Sequence, residues 1–205
     1  MKTGLHVISS GQQSKESLIA IASEIHDEVE AIHIREKTWT AKEMLSVIDL
    51  LLEEGIPANK IILNDRVDLC YMKKLGGVQL AHHSVDVSLV KKWFPQMEVG
   101  CSVHSIQDAK HSYQKGADYL LYGNIFKTAS KPGKPGVGLI SLKSIVQSVP
   151  IPVLAIGGIQ PDHVQDVLRT GAKGVAVLSG IYQAKSPSIA AKLFQEAIRK
   201  GVEQR

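Results

Sequence analysis

The sequence predicts a single (β/α)₈ barrel spanning residues 1–205, on three observations: eight short β-rich runs, helical spacing between them, and helix-stopping glycines just ahead of several runs. The runs cover residues 5–8, 31–35, 60–64, 77–80, 98–103, 119–122, 152–156 and 174–178. Residues 17–25, 41–52 and 162–168 repeat apolar side chains at helical spacing, so strand alternates with helix. Gly55, Gly116 and Gly171 each stand where a helix must stop before the next strand begins. Gly116-Ala-Asp-Tyr119 and Gly171-Ala-Lys-Gly174 use the same punctuation twice. Eight such units in 205 residues suit one compact barrel domain, with an open doubly wound sheet as the alternative.

At 44% apolar and 21% charged, the chain can bury one sizeable core, and disorder and collagen-like repeats are excluded. The 24 basic against 20 acidic residues give a net charge of +4, scattered in singles and pairs, and only 5% of residues are aromatic. That pattern suits a small anionic ligand and argues against a nucleic-acid partner. Cys70 and Cys101 form no C-x-x-C, so neither a disulfide framework nor a zinc site is expected, and a reducing cytoplasm is the plain reading. No apolar stretch approaches the roughly 18 residues that span a bilayer, so neither secretion nor a membrane partner is expected. Exposed helix faces could form a homodimer.

In such a barrel the chemistry belongs at the C-terminal ends of the strands. The connection 126–138 follows the sixth strand and carries three lysines, a Thr and a Ser among Gly and Pro breakers, the composition of a ligand-gripping loop. Gly157 and Gly158 end the seventh strand, and Ser179 and Gly180 the eighth, where barrels commonly hold phosphate on backbone N–H groups; tight turns are the plainer use of these glycines. His33, Arg35 and Lys37 alternate along the second strand and point to one side, toward ligand or toward solvent. Asn64-Asp65 close the third strand, Asn64 as a cap or a ligand contact and Asp65 as a partner for a metal or cationic group. His104, after Ser102-Val103, is a candidate acid or base, since an imidazole titrates near neutrality. His82 and His83 are adjacent on what reads as extended chain, so their rings should diverge and share no metal.

The strand endings resemble, in order, those of the thiamin phosphate synthase/TenI superfamily. They are His33-Ile-Arg-Glu-Lys37, Leu63-Asn-Asp65, Gly77-Val-Gln-Leu80, Gly100-Cys-Ser-Val-His-Ser105, Gly116-Ala-Asp-Tyr119, Gly123-Asn-Ile-Phe-Lys-Thr128 with Lys131, Ile156-Gly-Gly-Ile159 and Leu178-Ser-Gly-Ile181. The resemblance covers nearly the whole chain and implies a barrel handling phosphorylated thiazole or pyrimidine intermediates. The synthases typically carry two aspartates, after strands 3 and 4, that hold the Mg²⁺ of the pyrimidine's diphosphate. Here Asp65 is followed by Arg66, and the second aspartate's place is taken by Ser84 in Ala81-His82-His83-Ser84.

Those departures look like the TenI branch and imply a thiazole phosphate tautomerase that aromatises a carboxythiazole phosphate, with no metal or other cofactor. The branch's proton carrier after strand 6 is a histidine where this chain has Asn124, and asparagine does not titrate in the useful range. His33 or His104 would then carry the proton, with Asn124 holding the substrate carboxylate or ring nitrogen. The small thiazole phosphate would contact Arg35, Lys37, Asn64, Ser102, Thr128 and Lys131, with its phosphate on Gly157, Gly158, Ser179 and Gly180. Two alternatives remain open: a Mg²⁺-dependent thiamin phosphate synthase, and a non-catalytic regulatory protein that binds a thiamin intermediate.

Overall fold

The computed structural model describes residues 3–130 and 133–203. Eight parallel strands close on themselves in chain order: β1 (Gly4–Ile8), β2 (Ala31–Ile34), β3 (Ile61–Asn64), β4 (Gly77–Leu80), β5 (Val99–Val103), β6 (Tyr119–Gly123), β7 (Val153–Ile156) and β8 (Gly174–Val177). Pairing of Gly4 with Gly174 and of Val7 with Val177 seals β1 to β8, so the sheet has no edge. The barrel expected from the sequence is the observed architecture, and the open sheet is excluded by that last pairing.

Side chains alternate across each strand and divide the core in two. Leu5, Val7, Ile32, Ile34, Leu63 and Val78 point outward into the layer shared with the helices. Ile8, Tyr119, Leu121, Leu154 and Ala176 point inward and pack as a separate cluster inside the barrel. Below them His6 Nδ1 and His33 Nε2 are 2.8 Å apart, and the His6 ring meets the Tyr119 ring edge-on. The interior is thus filled from below and can open only above.

The outer ring comprises α1 (Lys15–Ile25), α2 (Ala41–Glu53), α3 (Val67–Met72), α4 (Val87–Trp93), α5 (Ile106–Gln114), α6 (Gly138–Ser148), α7 (Val164–Arg169), α8 (Ser179–Tyr182) and α9 (Pro187–Glu203). Local chemistry sets their starts. Ser14 and Ser105 accept backbone N–H groups at the heads of α1 and α5, while Thr40 and Glu43 cap each other's backbone at α2. Gly55, Gly116 and Gly171 take φ of 86°, 97° and 97°, the left-handed stops their positions predicted. The predicted helix 162–168 starts as a 3-10 turn at Pro161–His163, because proline presets the first turn. No helix of the described residues is long and apolar enough to cross a membrane.

Candidate active site

A cavity of about 370 Å³ opens at the C-terminal end of the strands. Its floor is apolar, made by Ile8, Leu121, Ile156 and Ala176, the upper members of the inward-facing set. Of the residues singled out in the sequence, Arg35, Lys37, Asn64, Ser102, His104, Asn124, Thr128, Gly157, Gly158, Ser179 and Gly180 all line it. Lys131 lies outside the described residues.

His33 does not reach the cavity. It is fully buried beside His6, level with Ile8 across the β1–β2 pairing. Strand alternation placed it correctly on the inner face, but it sits one layer below the mouth, under Arg35, so it is not placed to exchange a proton with a ligand there. His104 is exposed at the rim, its backbone N–H donating to Asp108 Oδ2 at 3.1 Å. Asn64 is a cavity residue and not a cap, since α3 begins at Val67 with Arg66 in the capping position and no side-chain cap. Arg35 is fixed through its backbone, whose N–H donates to Ser9 Oγ at 2.8 Å, leaving the guanidinium side chain to line the cavity.

The β6–β7 side of the mouth is built largely from backbone. Gly157 and Gly158 have φ of 99° and 68°, the left-handed region that disfavours any side chain. Space forbids one as well: a Cβ on Gly157 would lie 2.5 Å from Asn124 Cβ, and one on Gly158 would lie 2.9 Å from Phe126 C and run into Lys127 O. Across the short β7–α7 and β8–α8 connections, Ser179 and Gly180 open α8, and the first N–H groups of a helix have no partner within it.

The β3–β4 side is built from side chains. Ser84 Oγ donates to Asp65 Oδ1, and His83 Nε2 lies 3.3 Å from Asp65 Oδ2. The segment 81–84 is a turn, closed by Ser84 N donating to Ala81 O at 3.0 Å and Ala81 N to Ser84 Oγ at 2.7 Å. The two histidine rings therefore do not diverge as extended chain would have them; both line the cavity, with ring centroids 5.1 Å apart. Arg66 does not crowd Asp65, because its guanidinium is paired with Asp68 through contacts of 2.9 and 2.6 Å.

The synthase alternative implies Mg²⁺ here. Asp65 is the sole carboxylate among the cavity-lining residues, and no group of three or more His, Cys, Asp and Glu among the described residues could hold a metal by itself. Mg²⁺ is commonly held by one or two carboxylates with substrate phosphates completing its shell. The Asp65 carboxylate, with the Ser84 hydroxyl beside it, would hold the ion in that mode.

Three lining residues received no individual role from the sequence. Gln79 stands on the inner face of β4 and donates from Nε2 to Ser102 Oγ at 3.1 Å; the alternation Val78-Gln79-Leu80 already put it inside. Ser130 and Gln160 line the mouth from loops, where no periodicity marks them.

The thiamine monophosphate synthase family model matches residues 5–181. The thiamine-phosphate synthase of Pyrococcus furiosus is 33% identical over 204 residues, covering 99% of this chain and 96% of that protein. That of Chloroflexus aurantiacus is 36% identical, covering 82% and 78%. A solved structure, the thiamine phosphate pyrophosphorylase from Pyrococcus furiosus, superposes with a TM-score of 0.83 at 30% identity, covering 98% and 97% of the two chains. A 3-hexulose-6-phosphate synthase, at 19% identity and a TM-score of 0.76, shares the fold alone. These relatives overturn the tautomerase expectation, which rested on Arg66 after Asp65 and on Ser84 in place of an aspartate: relatives at 30–36% identity, covering 82–99% of this chain, carry the synthase name. With a family model covering most of its length and relatives aligned almost end to end, the chain belongs to the thiamine monophosphate synthase family of enzymes.

Proposed function

We propose that this protein is a thiamine-phosphate synthase, a transferase that joins a pyrimidine carried on a diphosphate to a phosphorylated thiazole. The observation that carries the reading is a single cavity with an anion-ready backbone turn at Gly157–Gly158 on β7 and the Asp65–Ser84 oxygen pair on β3. In a closed ring of eight strands these lie on opposite sides of the apolar floor. Two polar ends with an apolar middle match two phosphorylated heterocycles meeting ring to ring.

In the reaction a ring nitrogen of the thiazole forms a bond to the pyrimidine's methylene carbon as the carbon–oxygen bond to diphosphate breaks. The electron pair leaves with the diphosphate. The residues therefore have to orient two rings and receive a growing anion; no catalytic base is required. Gly157, Gly158, Ser179 and Gly180 hold the thiazole phosphate on backbone N–H groups. Arg35 presents a planar guanidinium suited to two phosphate oxygens at once, and Lys37 adds a mobile charge. Thr128 and Ser130 add hydroxyls beside the Gly157–Gly158 turn from the β6–α6 loop, and Gln79 and Ser102 provide a polar edge beside the floor. Asp65 with Ser84 would hold Mg²⁺, which when bound supplies positive charge to the leaving diphosphate.

The test is incubation of purified protein with both phosphorylated substrates and Mg²⁺, following the joined product and released diphosphate. Product formation that stops in EDTA is expected. Tight binding of thiazole phosphate without any product would overturn the reading in favour of a non-catalytic binding protein.

A further inference from the structure

Asn124 has no place in the reaction as written, yet it is only 6% exposed and lies where the two halves of the phosphate-facing wall meet. Its side-chain Nδ2 donates to Phe126 O at 3.2 Å and to Pro135 O at 3.4 Å. Those carbonyls stand at the entry and the exit of the loop joining β6 to α6, the loop that brings Thr128 and Ser130 to the cavity. The backbone around Asn124 repeats the pattern. Val137 N donates to Asn124 O at 2.9 Å across the loop's neck, and Gly138 N to Ile125 O at 3.0 Å.

The same neck is seated on β7. Ile125 N donates to Ile156 O at 2.9 Å and Phe126 N to Gly157 O at 3.0 Å. Gly157 leaves no room for a Cβ against Asn124, and Gly158 none against Phe126 and Lys127. The anion turn and the hydroxyl-bearing loop are thus one packed unit, and Asn124 is the side chain that reaches both strands of the loop's neck.

We infer that Asn124 is a positioning residue: its amide ties the two ends of the 124–137 loop together and holds Thr128 and Ser130 in register with the Gly157–Gly158 turn. It acts through those groups and touches no reacting atom. A ligand contact was its expected role; the hydrogen bonds direct its amide into the loop instead. The inference rests on the synthase reading for which substrate it affects, and on the geometry alone for the loop.

Asn124→Asp keeps the side chain's shape and removes both donors, while Asn124→Ala removes the side chain. In each, KM for thiazole phosphate is expected to rise about tenfold, the size of two ordinary hydrogen bonds lost, with KM for the diphosphate-bearing pyrimidine within about twofold. Tryptic cleavage after Lys127 should also quicken, and inorganic phosphate should protect the wild type more than either variant. Unchanged KM together with unchanged cleavage would overturn the inference, as would equal rises in both KM values. If the wild type joins no substrates, the synthase reading fails by itself; faster loop cleavage in Asn124→Asp then still supports the brace, and unaltered cleavage overturns it.

Discussion

The two walls of the cavity are made of different material. On the β6–β7 side the groups that meet a ligand are mostly peptide units, with the Thr128 and Ser130 hydroxyls beside them, locked by backbone hydrogen bonds of 2.9–3.0 Å and by glycines whose Cβ would have no space. On the β3–β4 side they are the side chains of Asp65, His82, His83 and Ser84, intermediate or exposed, on a turn closed by one serine. The contrast separates two jobs. A phosphate monoester that only has to be held suits fixed N–H groups, while a diphosphate whose charge grows as it leaves suits side chains that can share it with an ion.

The largest effect should come from breaking the backbone wall. Gly158→Ala forces a side chain into left-handed backbone and against Phe126 and Lys127, so it should cost about 1–3 kcal/mol of stability from conformation alone. Affinity for thiazole phosphate should fall with it, read by calorimetry beside a thermal melt; a variant that melts like the wild type and binds as tightly would dissolve the contrast. Breaking the side-chain wall should separate the two readouts. Asp65→Asn is expected to lower kcat about 10²-fold while stability stays within about 0.5 kcal/mol, because the carboxylate is partly exposed and is buried in no core. Steady-state kinetics and a denaturant melt check it.

The smallest effect supplies the baseline of a charge removed far from either wall. The Lys15 ammonium, at 2.7 Å, and then the N–H and hydroxyl of Thr40 hold the Glu43 carboxyl down to about 2. A depressed carboxyl stabilises the fold fully above its ordinary value of 4.5, and the benefit fades as pH falls toward about 2. Glu43→Gln should therefore lower Tm slightly at neutral pH, by an amount that disappears in acid, and leave turnover unchanged. A Tm gap that persists at pH 2 would locate the effect in packing and not in charge.

How much of this was legible in the sequence differs between the walls too. Period-two alternation gave the strands and the inner or outer facing of each residue, and Gly157-Gly158 advertised the turn they make. Alternation gives facing but not height: His33 and Arg35 share a face, and only the stagger between neighbouring strands decides that one is sealed in beside His6 while the other meets the cavity. The turn at 81–84 carries no glycine or proline and depends on the Ser84 hydroxyl reaching Ala81 N, so it read as extended chain. Asn124 read as a ligand contact because its carbonyl partners, Phe126 and Pro135, are brought to it by a loop whose path no local pattern specifies.

Deep in the barrel, Gly100 makes room for the ring of Tyr119, whose Cε2 would lie 2.5 Å from any Cβ at position 100. The ring is fully enclosed, with its hydroxyl held far above the usual phenol range by burial, so it has nowhere to swing. Position 100 is therefore coupled to two neighbours at once: a larger residue there needs a smaller one at 119 and a Gln79 amide turned away, because Gln79 Oε1 would also run into its Cβ.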